Sequence, residues 1–221
     1  MVWCGRFDVY NSPKAVYQLS NEALEVIRSF GRYDFTSRMA AFLRKSKSLS
    51  ERYAQVREIA MVPVLIAGNE TIRLSPGEHS ELIKSIVEDF APRFVPGSQL
   101  IYMGDTGEKW GFFDKELAEK VGITIDAHGK MPDVVLYLAE RNWLVLVEAV
   151  TSHGPVDGKR HIELKNLMKS VNAGLVFVSA FPSRSVMTRY LGDIAWESEV
   201  WLSDNPTHMI HFNGSRFVGP Y

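Results

Sequence analysis

At 221 residues, 46% hydrophobic and 23% charged, the chain has room for one full-sized domain plus a small appendage, and its composition excludes a disordered protein. A net charge of −1 excludes a strongly basic binder, although an acidic metal cluster can offset a local basic channel in that count. The single cysteine, Cys4, excludes an internal disulfide or a cysteine-based zinc site.

No apolar run approaches the ~20 residues of a membrane helix, and the start Met1-Val2-Trp3-Cys4-Gly5-Arg6 lacks a signal-peptide pattern. A cytoplasmic protein with no membrane association is expected.

Residues 1–60 read as a helical region. Ser12-Pro13 offers an N-cap and a first-turn proline, and Val16, Leu19, Ala23, Val26, Ile27 and Phe30 recur at helical spacing up to Gly31. Phe35, Met39, Phe42 and Leu43 predict a second helix, and Leu49, Tyr53, Val56 and Ile59 a third. Arg38, Arg44, Lys45, Lys47 and Arg52 in this stretch suit phosphate contacts or a solvated helical face.

The period changes at residue 61. The β-branched run 61–66, then Gly68-Asn69 and 71–74, predicts a β-hairpin. Ser75 with Glu78 three residues later reads as a capping box opening a helix that ends at Pro92 and Pro96-Gly97. A strand over 100–103, a helix over 114–121 stopped by Gly122, and strands over 133–138 and 143–150 follow. The four-residue link 139–142 makes those two strands an antiparallel hairpin. A helix over 157–169, a strand over 174–180, a short helix over 183–191 and strands near Val200 and 209–211 complete an α/β chain with a mixed central sheet flanked by helices.

Chemistry concentrates on this hairpin. Asp133 opens its first strand, where a Pro-Asp pair in isolation reads as a strand start or cap. Glu148 lies near the end of the second, so antiparallel pairing makes neighbours of residues fifteen positions apart. Two adjacent carboxylates resist joint ionisation unless a cation shares the site. Mg²⁺, which takes one or two protein carboxylates plus waters and substrate phosphate, suits them. Glu148 also interrupts the apolar run Trp143-Leu144-Val145-Leu146-Val147, where an unpartnered carboxylate is costly. Asp105 is either a third metal ligand, with Glu108 near it, or a turn aspartate bonding its own backbone; Glu163 is a ligand or a helix-surface charge. Ser152 and His153 are adjacent, lack an orienting acid, and argue against a Ser-His hydrolase. His128, His208 and His211 lack metal spacing.

Several longer motifs resemble the BsuBI/PstI-type restriction endonucleases. They are Gly104-Asp105-Thr106-Gly107-Glu108-Lys109-Trp110-Gly111, Met131-Pro132-Asp133-Val134-Val135, Glu148-Ala149-Val150-Thr151-Ser152-His153-Gly154-Pro155-Val156 and Asp193-Ile194-Ala195-Trp196-Glu197. The ending His208-Met209-Ile210-His211-Phe212-Asn213-Gly214 resembles the family too. The resemblance implies a type II enzyme of the PD-(D/E)XK nuclease superfamily, dependent on Mg²⁺. Such an enzyme works as a homodimer on a palindromic site in double-stranded DNA, CTGCAG in family members. It implies a catalytic domain over 61–221 and a shortened helix-turn-helix-like region over 1–60.

The superfamily places a lysine two positions after the second acid, where this chain has Val150. Lys159 is the first candidate to replace it, Lys109 the second and Lys130 the third. The shortened start and Val150 leave open a DNA-binding remnant that does not cut, and a less specific repair nuclease is a further alternative.

Overall fold

Strands rich in β-branched and aliphatic residues, buried on both faces, form the centre of the main sheet. The computed structural model describes residues 2–3, 17–45, 49–107, 111–123 and 130–213. The chain divides into two units, Met1–Ile59 and Ala60–Tyr221.

In the first unit, β1 (Val2–Trp3) pairs antiparallel with β2 (Tyr17–Gln18). Helices α1 (Asn21–Arg28) and α2 (Phe35–Lys45) follow, with most of α3 (Leu49–Ala60). Ser20 caps α1 by accepting a hydrogen bond from the Ala23 N–H. The helix expected from Pro13 onward therefore starts only at Asn21, because Tyr17 and Gln18 are drawn into a strand pair; Ser12 to Val16 lie outside the described residues. Arg38 is paired with Asp34 at 2.5 Å, while Lys47 lies outside the described residues.

The second unit opens with the expected hairpin, β3 (Val62–Leu65) and β4 (Thr71–Leu74), in which Val62 faces Leu74. Helix α4 (Glu78–Ser85) continues through a π turn at Ile86–Phe90 into α5 (Ala91–Phe94). Pro92 does not end this helix. The wider π turn removes the clash a proline makes with the carbonyl one turn back, and the helix runs on to Phe94, just before the Pro96-Gly97 turn. Ser75 is not the cap of α4 either: Gly77 holds that place, with no side-chain cap.

Then come β5 (Gln99–Met103), β6 (Phe112–Phe113), α6 (Lys115–Val121), β7 (Val134–Leu138) and β8 (Trp143–Ala149). Helix α7 (Gly158–Leu167), β9 (Gly174–Phe181), α8 (Arg184–Met187), β10 (Glu199–Leu202) and β11 (Met209–His211) complete the unit. Seven strands form one mixed sheet in the order β11-β10-β9-β8-β7-β5-β6. Strands β8, β9 and β10 run parallel, and the remaining pairings are antiparallel.

Alternation along the central strands divides the core between the sheet faces. Val134, Leu136, Val145 and Val147 pack with Leu82, Ile83, Ile86 and Phe90 of α4 and the π turn. Val135, Leu144 and Leu146 pack on the other face with Leu117 of α6 and Leu164 of α7. A third cluster, around Phe181, Met187 and Val200, closes the end of the sheet. The result is an α/β fold with a mixed sheet flanked by helices, and no described helix is long and apolar enough to cross a membrane.

Candidate active site

Strands β7 and β8 pair from Leu138–Trp143 to Val134–Val147. One step further, the same register sets Asp133 across from Glu148 at the end of the sheet. The Ala149 N–H donates to Asp133 Oδ2 at 2.8 Å, so the strand that carries the second acid also orients the first.

Each acid is held by a basic side chain from a different helix. His79, in the first turn of α4, sets Nε2 at 3.3 Å from Asp133 Oδ1. Arg160, in the first turns of α7, donates from Nε to Glu148 Oε1 at 2.7 Å, and its Nη2 lies at the same distance from that oxygen. Its Nη2 also donates to the carbonyls of Lys130, at 3.0 Å, and Met131, at 3.1 Å. Asp157 caps α7 by accepting from the Arg160 N–H, which sets the start of the helix beside β8.

The two carboxyl groups titrate apart. Burial, and then the negative charge of Asp133, push Glu148 up to about 7 against the opposing pull of Arg160. Burial also acts upward on Asp133. The hydrogen bond and charge of His79, the Ala149 N–H and the Glu148 hydroxyl outweigh it and hold Asp133 below its ordinary value. His79 is raised, first by its hydrogen bond to Asp133, against the effect of burial. The pair thus divides its roles, with Asp133 the carboxyl that ionises more readily and Glu148 the one that keeps its proton longer.

This donor set fits Mg²⁺. Two hard oxygen donors face each other in a partly buried site, and a proton now does part of the work a divalent cation would do. Asp133 and Glu148 would hold the ion.

The other expected residues separate. Asp105 is turned to Ser75: the Ser75 N–H donates to Oδ1 and its hydroxyl to Oδ2, both at 2.8 Å. Its carboxylate therefore ties the end of β4 to the end of β5, and among the described residues no group of three or more His, Cys, Asp or Glu is placed to hold a metal. Lys159 is 84% exposed and lies 3.7 Å from Glu163 on the outer side of α7. Glu163 also stands 3.5 Å from Arg160 Nη1. Lys130 contributes its carbonyl to Arg160. Lys109, Glu108 and His128 lie outside the described residues. Val150 is buried with Phe181, Met187 and Ile194, so the usual lysine place belongs to the core. Ser152 and His153 do touch, at 3.3 Å, but both are exposed, and no acid is among the described partners of His153. His211 is paired with Glu199, and His208 contacts Thr207 and Asn205.

Two site residues escaped the reading of the sequence, although each left a signal. Leu164 and Met168, at the end of α7, are buried four residues apart, and Arg160 lies four residues before Leu164 on the same stripe. An arginine on a core-facing stripe requires a buried partner. His79 likewise starts the stripe that continues through Ile83, Ile86 and Phe90.

Comparison with known proteins adds ancestry to this geometry. The profile of the BsuBI/PstI restriction endonuclease domain matches residues 62–215. The chain belongs to this family. It is 57% identical over 211 residues to the type II restriction enzyme BsuBI of Bacillus subtilis, covering 96% of this chain and 67% of that enzyme. The type II restriction enzyme AplI of Arthrospira platensis (strain NIES-39 / UTEX 3086 / IAM M-135) is 32% identical over 215 residues, covering 94% of this chain and 66% of the relative. The structure of the SdaI restriction endonuclease superposes with a TM-score of 0.70 at 45% identity, across 92% of this chain and 64% of that one. The chain thus spans about two thirds of the length of these relatives.

Proposed function

We propose that this protein hydrolyses phosphodiester bonds of double-stranded DNA at a specific palindromic site, as a Mg²⁺-dependent type II restriction endonuclease. The observation that carries this reading is the placement of Asp133 and Glu148 across from each other at the end of β7 and β8, in a chain of the BsuBI/PstI family. CTGCAG is the expected target and a homodimer the expected assembly, since a palindrome presents the same half-site twice. Bound at the two acids, Mg²⁺ would screen the scissile phosphate and lower the pKa of an attacking water. Asp133, held low by His79 and the Ala149 N–H, is the standing anion of the site. Glu148 must release its proton before it can act as a ligand.

Purified protein incubated with plasmid and Mg²⁺ should give discrete fragments that end at one sequence. Asp133→Ala and Glu148→Ala should abolish them while leaving circular dichroism unchanged; full cleavage by either variant would refute the assignment of the acids. The burial of Val150 favours one other reading, a protein that binds its site without cutting. A gel shift on a CTGCAG duplex in Ca²⁺, with no cleavage in Mg²⁺ or Mn²⁺, would select it.

A further inference from the structure

Val150 is 1% exposed and packed against apolar side chains, so a lysine there would point into the core. The cation beside Glu148 comes instead from α7. We propose that Arg160 is the fixed cation of this site, a positioning residue that sets Glu148 and the approach to Asp133; the proposal rests on the nuclease reading above.

Three acceptors from the acid-bearing segments converge on one guanidinium. Glu148 Oε1 belongs to β8, while the carbonyls of Lys130 and Met131 belong to the segment that leads into Asp133 and β7. Arg160 therefore ties together the two chain segments that carry the acids. With 13% of its side chain exposed, it does so largely out of contact with water, where charged hydrogen bonds are stronger.

The geometry requires an arginine. A planar guanidinium presents several donors in fixed directions, whereas an ammonium is a compact point charge. Arginine also keeps its proton at any working pH, so Arg160 cannot serve as a general base. Its described donors are turned to Glu148, Lys130, Met131 and Glu163, which makes its role one of orientation and charge compensation. Neighbouring Lys159 points outward to Glu163 and ties no two parts of the site together.

Two measurements on the full chain test this. In the metal-free, ¹⁵N-labelled protein, the Arg160 Nε–H should give a slowly exchanging arginine signal, lost in Arg160→Lys and displaced in Glu148→Gln. In single-turnover cleavage at saturating Mg²⁺, Arg160→Met and Arg160→Lys should slow the reaction by roughly 10- to 100-fold, as loss of a group that orients a metal ligand does. Arg160→Lys should be the faster of the two, and duplex affinity in Ca²⁺ should be unchanged.

A wild-type rate in both variants would overturn the proposal. So would a parallel loss of DNA affinity, which marks a phosphate contact, or a larger rate loss in Lys159→Met than in Arg160→Met. If Arg160→Met fails to fold, Arg160→Lys decides. If the wild-type protein cuts no DNA with any divalent ion, the nuclease reading falls; the Nε–H signal and its response to Glu148→Gln then decide the positioning role without it.

Discussion

Glu148→Gln is expected to make the metal-free protein more stable at alkaline pH. The substitution keeps the shape of the side chain, an oxygen that accepts from Arg160 and a donor toward Asp133, so it reproduces the protonated acid without its titration. Burial and the charge of Asp133 raise Glu148 from an ordinary value of 4.5 to about 7 in the folded protein. A carboxyl raised on folding binds its proton more tightly in the native state. Its stabilising effect is therefore complete below about pH 4.5 and is lost as pH rises through about 7. At ~1.36 kcal/mol per pKa unit, the wild type should lose about 3 kcal/mol relative to Glu148→Gln between pH 4.5 and pH 8.5. Urea unfolding in EDTA across that range, wild type against variant, measures the difference. Mg²⁺ added at pH 8.5 should then stabilise the wild type more than the variant. A difference between the two proteins that does not change with pH, or a wild type that gains on the variant as pH rises, would refute the reasoning.

Two further substitutions test parts of the frame. Asp105→Ala removes both acceptors of Ser75 and should cost about 1–3 kcal/mol of stability, with divalent-ion binding to the Asp133–Glu148 pair unchanged in a calorimetric titration. Weaker ion binding in a variant of unchanged stability would make Asp105 a ligand after all. Gly122→Ala should destabilise by about 1–3 kcal/mol, because Gly122 ends α6 at φ 90° and an added Cβ would stand 2.8 Å from the Ser170 carbonyl oxygen. Gly158→Ala, at the start of α7 with nothing within 4 Å of its Cβ position, is the control for thermal melting.

Much of the second unit was legible because its signals are local. The runs at 134–138 and 143–149, joined by a four-residue link, could scarcely be anything but a hairpin, and their register carries Asp133 to Glu148. Asp114 and Gly122 bracket α6 by capping chemistry alone. Local signals failed where a distant partner intervened. Ser75 carries the mark of a helix cap, yet Asp105 claims both its N–H and its hydroxyl. Tyr17 and Gln18 lie within the span of a helical repeat, yet they pair with Val2 and Trp3.

The same division runs through the site. The residue types in order along the chain were sufficient for the hairpin, the placement of Asp133 across from Glu148 and the family, since each depends on neighbours or on motifs written contiguously. The basic partners were decided by packing. Two helices on opposite faces of the sheet bring His79 to Asp133 and Arg160 to Glu148, while Val150 sinks into the third cluster and Lys159 turns outward. Lys159 and Arg160 are adjacent in sequence and about 100° apart around a helix. Only the seating of α7 on the sheet chooses which of them meets the carboxylate.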